Sequence, residues 1–206
     1  MGLFKNYVNQ TRKPEGFLGK MMIDNMNSGH AKMADWGMSH LDVNPSEMVE
    51  LGCGGGRNAG ELMKRYSSAN MTAIDYSPLS VEKATEYNQE MIKGGRCKVE
   101  QGDVSNLHLP EGKYDLATAF ETIYFWPGLE KCFSEVNKVL KPGGTFMIVN
   151  ESDGCDKASL NFEKIIDGMR CHTATEIVTS LKNAGFSKVI TDHHESKPWI
   201  TVIAEK

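Results

Sequence analysis

Glu50, Asp75 and Asp103 are the residues of this 206-residue chain whose types and spacing carry the most chemistry. Glu50 and Asp75 stand at the ends of short apolar runs that read as strands, and Gly102-Asp103-Val104 closes a third in which Cys97 and Val99 alternate. Glu50 stands directly before the glycine cluster Gly52-Cys53-Gly54-Gly55-Gly56, and Ala59, Leu62, Met63 and Tyr66 follow at the i, i+3, i+4, i+7 spacing of a buried helical face. Strand, glycine turn and helix form the opening unit of a nucleotide-binding α/β sheet. The glycines let the backbone turn sharply and let a ligand lie against bare peptide groups. A carboxylate at the strand end repels phosphate and suits a cationic or hydroxyl-bearing ligand. Ligands of an open parallel sheet bind just outside the carboxyl ends of its strands, so the three acids are expected to line one crevice.

The elements that must position them read out in alternation. Strands are expected at Glu47–Leu51, Asn70–Asp75, 97–101, Tyr114–Phe120 and 145–149. The fourth is apolar throughout and too short for a helix, as in a strand covered on both faces. Ser77 with Pro78 opens a helix expected to run through Val81, Ala84, Asn88 and Met91 to Gly94-Gly95. Leu129, Cys132, Phe133, Val136, Val139 and Leu140 form another helical face, stopped by Lys141-Pro142-Gly143-Gly144. Thr173-x-x-Glu176 is a capping box. Segments 186–191 and 199–204 are expected to close the chain as a hairpin. Ahead of the first strand, residues 1–45 carry a methionine-rich helical segment broken at Gly29 and a second piece through Met33 and Trp36. The whole is read as one α/β domain, with 1–45 as an N-terminal helical cap and 151–172 as a lid insertion.

Composition bounds the alternatives. Forty per cent hydrophobic and 24% charged residues are ordinary for a globular protein. No stretch approaches the ~20 apolar residues of a membrane span, and Lys5, Asn6, Asn9 and Arg12 interrupt any signal-peptide core; a cytoplasmic location is the expectation. The net charge of -4 and the lack of a basic run count against nucleic acid as a partner. Five cysteines, Cys53, Cys97, Cys132, Cys155 and Cys171, make neither a C-x-x-C pair nor a zinc spacing.

Glu50-x-Gly52-x-Gly54-x-Gly56 resembles the first motif of the class I S-adenosylmethionine (SAM)-dependent methyltransferases, and the resemblance extends from about residue 45 to the end. Asp75, Gly102-Asp103-Val104 and Leu140-Lys141-Pro142-Gly143-Gly144 appear in that family's order. Gly54-Gly55-Gly56-Arg57-Asn58-Ala59 with Asp75 also fits the dinucleotide-binding pattern, which keeps an NAD(P)-dependent oxidoreductase open, as it does a non-catalytic SAM-binding protein. The terminal hairpin favours the methyltransferases. The resemblance implies a Rossmann-like seven-stranded sheet with helices on both faces and the last strand antiparallel. It also implies that Glu50, Gly52, Gly54 and Gly56 hold the methionine part of SAM, that Asp75 takes the ribose hydroxyls, and that Tyr76 packs on the adenine. Asp103 and Val104 would meet the adenine edge, and Glu121 is placed with these cofactor-binding residues.

The acceptor is harder to read. The chain has Glu121-Thr122-Ile123-Tyr124 where base N-methyltransferases carry Pro-Pro and an aromatic, and no cysteine follows a proline as in cytosine C5 enzymes. With the acidic pI this makes a small molecule the expected acceptor. His30 and Tyr124 are the catalytic candidates, and Trp126, Glu151, His172 and Trp199 the substrate-binding ones. Phe125 is read as core and His193-His194 as a solvated strand end. No metal is expected, because the clustered acids of catechol-type enzymes are not evident beyond Asn150-Glu151.

Overall fold

The computed structural model describes residues 3–206. Its sheet comprises β1 (Glu47–Leu51), β2 (Asn70–Asp75), β3 (Cys97–Gln101), β4 (Tyr114–Phe120), β5 (Leu140–Asn150), β6 (Lys188–His193) and β7 (Ile200–Glu205). The strand order is β3-β2-β1-β4-β5-β7-β6. β1 to β5 are parallel, while β7 runs antiparallel to both β5 and β6. The sheet and its closing hairpin are those expected from the sequence. The hairpin strands begin one or two residues later than the apolar pattern implied, and β5 begins earlier, at Leu140. The Lys141-Pro142-Gly143-Gly144 stretch is taken into the irregular start of that strand, where the β4–β5 register shifts between Tyr114 and Leu116.

The helices are α1 (Leu3–Val8), α2 (Gly16–Gly29), α3 (Ala31–Met38), α4 (Arg57–Arg65), α5 (Pro78–Tyr87), α6 (Gln89–Lys93), α7 (Leu129–Val139), α8 (Lys157–Glu163) and α9 (Ala174–Asn183). Short 3-10 turns lie at Asn9–Thr11 and Ile123–Phe125. Among the described residues no helix is long and apolar enough to cross a membrane. One sheet face packs against α7 and α9 through aromatic residues, Trp126, Phe133, Phe146 and Phe186. The other is methionine-rich, with Met33, Met38, Met48, Met63, Met71 and Met147 filling the space under α3 and α4, a use to which the unbranched thioether is suited. Gly37 lets α3 lie directly on β5, because a Cβ there would run into the Val149 side chain.

Two helical expectations change. The segment 78–94 is two helices, α5 and α6, parted at Asn88. That side chain is buried and donates from Nδ2 to the carbonyls of Gly56 (2.9 Å) and Ala84 (3.0 Å), so it serves the glycine loop and does not continue a helical face. In the expected lid, where Phe162, Ile165, Ile166 and Met169 recur at helical spacing in the sequence, α8 stops at Glu163. Its cap is Asp156, which accepts from the Ser159 amide at 2.8 Å, and the apolar residues beyond it sit in turns. The Thr173–Glu176 capping box forms as expected. Cys53, Cys97, Cys132 and Cys171 are buried and Cys155 is exposed.

Candidate functional site

A cavity of about 400 Å³ opens at the carboxyl ends of the parallel strands. The loops after β1, β2 and β3 make one wall: Glu50, Gly52, Gly54, Asp75, Tyr76, Asp103 and Val104 all line it. The first loop is made by backbone that only glycine adopts readily. Gly52, Gly54 and Gly56 have φ of +80°, +52° and +80°. A Cβ on Gly54 would meet nothing, so its peptide faces open space, whereas one on Gly52 would press into the Thr122 side chain.

Gly56 departs from expectation. It lies outside the cavity lining and against α5, where a Cβ would run into Asn88 and Ala84. Its left-handed backbone caps α4.

The acids on this wall differ in their surroundings. Glu50 is buried, and its Oε2 has no hydrogen-bond partner. Burial pushes its carboxyl well above the usual range, and the nearby Asp75 adds to the effect. Asp75 accepts from the Gly54 amide (2.8 Å) and the Ser77 amide (2.8 Å). Burial still raises its pKa against those bonds. Asp103 forms a local turn, accepting from the Ser105 amide at 2.8 Å, which lowers its pKa, and it lines the cavity as well.

The opposite wall comes from connections. Glu121 follows β4 in a left-handed conformation, φ +57°, which for a non-glycine residue places the carboxylate by force of its surroundings. Its Oε1 accepts from the Tyr124 hydroxyl (3.0 Å) and from the Glu151 amide. The Tyr124 oxygen in turn accepts from the Ser152 amide at 3.0 Å. Burial pushes the Glu121 carboxyl up to about 6, and His30 and the two hydrogen bonds hold it there against the charge of Glu151. His30, at the end of α2, has Nε2 3.5 Å from Glu151 Oε2. Thr11, Arg12, Pro14, Met26 and Asn27 of the N-terminal segment and Ile166 and Met169 of the 151–172 segment complete this side. α2 presses onto the glycine loop so closely that a Cβ on Gly55 would collide with Asn27 and Ile23.

Not every expected residue arrives. Trp199 packs edge-on to His194 (ring centroids 4.7 Å apart) and beside Trp36 (6.1 Å), outside the cavity lining. His194 is therefore part of an aromatic cluster, not a solvated strand end. His172 is buried and faces a second cavity of about 530 Å³ beside α9. Burial and the nearby Arg170 lower its pKa. Glu151 stands at the rim and joins the site through His30. Trp126 and Tyr124 form a partition lining both cavities, with the Trp126 indole donating to Thr122 Oγ1 at 3.2 Å. Phe125, read as core, is half-buried and faces the first cavity. Thr122 escapes a reading of the sequence, since nothing in the local pattern sets it apart, and Ile166 and Met169 come from the expected lid. Only the path of the chain brings Thr122 in.

Strand order, antiparallel β7 and a glycine loop facing strand-end acids define a Rossmann-like methyltransferase fold. A family model described as "Methyltransferase domain" matches residues 49–148. The sterol 24-C-methyltransferase erg-4 of Neurospora crassa is 28% identical over 173 residues, covering 77% of this chain and 45% of that protein. The chain thus spans about half the length of such curated relatives. Among solved structures, the complex between the Haloferax volcanii Trm112 methyltransferase activator and a methyltransferase aligns with TM-score 0.83 at 16% identity, covering 100% of this chain and 98% of that one. A sarcosine dimethylglycine methyltransferase structure from Galdieria sulphuraria aligns with TM-score 0.72 at 16% identity, covering 89% of each chain. These comparisons agree in what the chain is similar to, the class I SAM-dependent methyltransferases, and its fold is theirs.

Proposed function

We propose that this chain binds SAM in the cavity and transfers its methyl group to a small-molecule acceptor by in-line displacement. The observation that carries the reading is the carboxylate-lined wall: Glu50 with an unpartnered oxygen, Asp75 at the next strand end, and bare glycine peptide between them. This donor set fits SAM, which has a cationic amino-acid end and a ribose diol, and it suits a phosphate-bearing dinucleotide poorly. When bound, SAM supplies an electrophilic methyl on a sulfonium.

The residues have distinct tasks in this reading. Glu50, Gly52 and Gly54 meet the amino-acid end. Asp75 keeps lone pairs free beside its two amide bonds for the ribose hydroxyls. Tyr76, Asp103 and Val104 meet the adenine. His30, Tyr124, Trp126 and Glu151 hold the acceptor, with the 1–45 and 151–172 segments excluding water above it. Alignment of nucleophile and methyl then supplies most of the acceleration, and His30 takes a proton where the acceptor must lose one.

The test incubates the purified chain with labelled SAM and fractionated metabolite pools, identifying products by mass spectrometry, with calorimetric titration of SAM and of NADH alongside. A methylated metabolite with SAM binding is the expected result. NADH binding without SAM binding overturns the reading, and SAM binding without turnover for any pool leaves only a SAM-binding protein.

A further inference from the structure

The acceptor wall assembles a grouping that spacing along the chain conceals. His30 ends α2, Glu121 follows β4 and Glu151 follows β5. One ligand atom from each, an imidazole nitrogen and two carboxylate oxygens, lies within 4.8 Å of the others. We propose that these three side chains hold a divalent cation, one of the borderline-hard ions such as Mn²⁺ or Zn²⁺, at the acceptor end of the cavity. The binding stands by itself; only the ion's purpose rests on the methyl-transfer reading.

The geometry supports this in three ways. Bonds of ~2.1 Å place the ligands of one ion ~3–4 Å apart, so a small rotation of Glu151, whose side chain is 51% exposed, closes the set. Glu121 is already oriented: both of its hydrogen bonds fall on Oε1, from Tyr124 and the Glu151 amide, and among the described residues Oε2 takes none. This is how a ligating carboxylate is normally held, by outer partners that fix one oxygen and leave the other for the metal. Finally, two carboxylates face each other with only an imidazole between them, an arrangement a dication stabilises and two bare anions do not.

One nitrogen and two oxygens, with no thiolate, exclude a soft-metal site. Three protein ligands leave positions open, as in sites that bind a reactant and not merely a structural ion. The open positions face a cavity, so the acceptor class is one with oxygen donors: a vicinal diol, a hydroxy acid or an enolisable carbonyl. The ion would bind that oxygen and lower its pKa before it attacks the methyl carbon. With the ion bound, His30 is a ligand and no longer the base, so the proton leaves to solvent; the new oxygen–carbon bond replaces the carbon–sulfur bond of SAM, S-adenosylhomocysteine departs, and no redox change occurs.

The chelator-stripped chain is titrated with Mn²⁺, binding being followed by calorimetry and by the electron paramagnetic resonance signal of free Mn²⁺. One ion per chain is expected, weakened at least ~10-fold in Glu151→Gln and in Glu121→Gln. Thermal melting of each variant establishes that it is folded, and Glu151→Gln, at an exposed rim position, keeps the test alive if Glu121→Gln does not fold. Absence of saturable Mn²⁺ and Zn²⁺ binding, or binding indifferent to both substitutions, overturns the proposal and leaves an acid–base hydrogen-bond cluster. SAM is titrated separately on the stripped chain; failure there refutes the methyl-transfer reading and leaves the metal site standing or falling on its own titration.

Discussion

The two walls of the cavity are built from different materials. Under β1, β2 and β3 the surface is backbone and strand-end carboxylate, anchored by the sheet: Gly52 and Cys53 both donate to the Ile74 carbonyl (2.8 and 2.9 Å), and Gly54 donates to Asp75. Across the cavity the surface is side chain, supplied by α2, by the turn after β4 and by 151–172, and joined by contacts such as Arg170 N–H to the Tyr124 carbonyl (2.9 Å). The first wall is held by a repeating ladder and can present one ligand in one pose. The second is held by individual contacts, each replaceable by substitution without disturbing the sheet. A fold that keeps one cosubstrate and varies the other needs this division.

The sharpest way to break the first wall is Asp75→Ala. On the proposed role of Asp75 at two ribose hydroxyls, the loss should cost roughly 2–4 kcal/mol of SAM affinity, read by calorimetry, while thermal stability changes less. An unchanged affinity in the folded variant makes Asp75 a loop-holding acid only.

Gly52→Ala probes the seam, since its missing Cβ is what lets the two walls touch at Thr122. A left-handed alanine and the collision together should remove about 2–3 kcal/mol of stability, measured by urea unfolding. Adding Thr122→Ala relieves the collision and not the φ, so about half should return. Full recovery, or none, contradicts this account.

Tyr124→Phe addresses the second wall alone. It strips one hydrogen bond from Glu121 and one from the Ser152 amide. With an identified acceptor, kcat should fall about 10-fold, equivalent to ~1.4 kcal/mol, with SAM affinity nearly constant. Equal losses in both would show that the walls are not separable.

The smallest effect lies away from both. Asp115 binds the Ser46 amide (2.9 Å), the Glu47 amide (2.9 Å), Ser46 Oγ (2.7 Å) and Lys141 Nζ (2.7 Å), tying the starts of β1 and β5 to β4. Burial alone would raise its carboxyl, but the lysine, the hydroxyl and the amides hold it well below the usual range. A folded-state pKa below the unfolded value of ~3.9 means the stabilisation is complete above that pH and fades as pH falls toward the folded pKa. Asp115→Asn should therefore lose about 1 kcal/mol near pH 7, with the gap to wild type closing below pH ~4 and catalysis untouched.

The same division explains what the sequence discloses. β1, β2 and β4 can be bounded to the residue because each is a short apolar run closed by an acid or a glycine, at Gly52, Asp75 and Glu121. The strand-end acids follow from those bounds, so the spacing alone places Glu50, Asp75 and Asp103. Gly56 looks like its neighbours because motif spacing does not register which glycine faces α5. Trp199 and His194 are misplaced because strand alternation gives a face but not what covers it, here Trp36 of α3. His30, Glu121 and Glu151 are scattered by 91 and 30 positions along the chain, and no local pattern foretells their meeting. That information is tertiary: the turn after β4 takes a left-handed residue with no glycine to announce it.

Cys155 gives the second wall a reporter of its own. It is the one exposed thiol of the five, in the turn between β5 and α8, four residues from Glu151. The thiols of Cys53, Cys97, Cys132 and Cys171 are pushed up, chiefly by burial, and so stay protonated and slow to react. A maleimide dye added at neutral pH therefore attaches at a single place without engineering, and its emission follows the 151–172 segment as ligands enter.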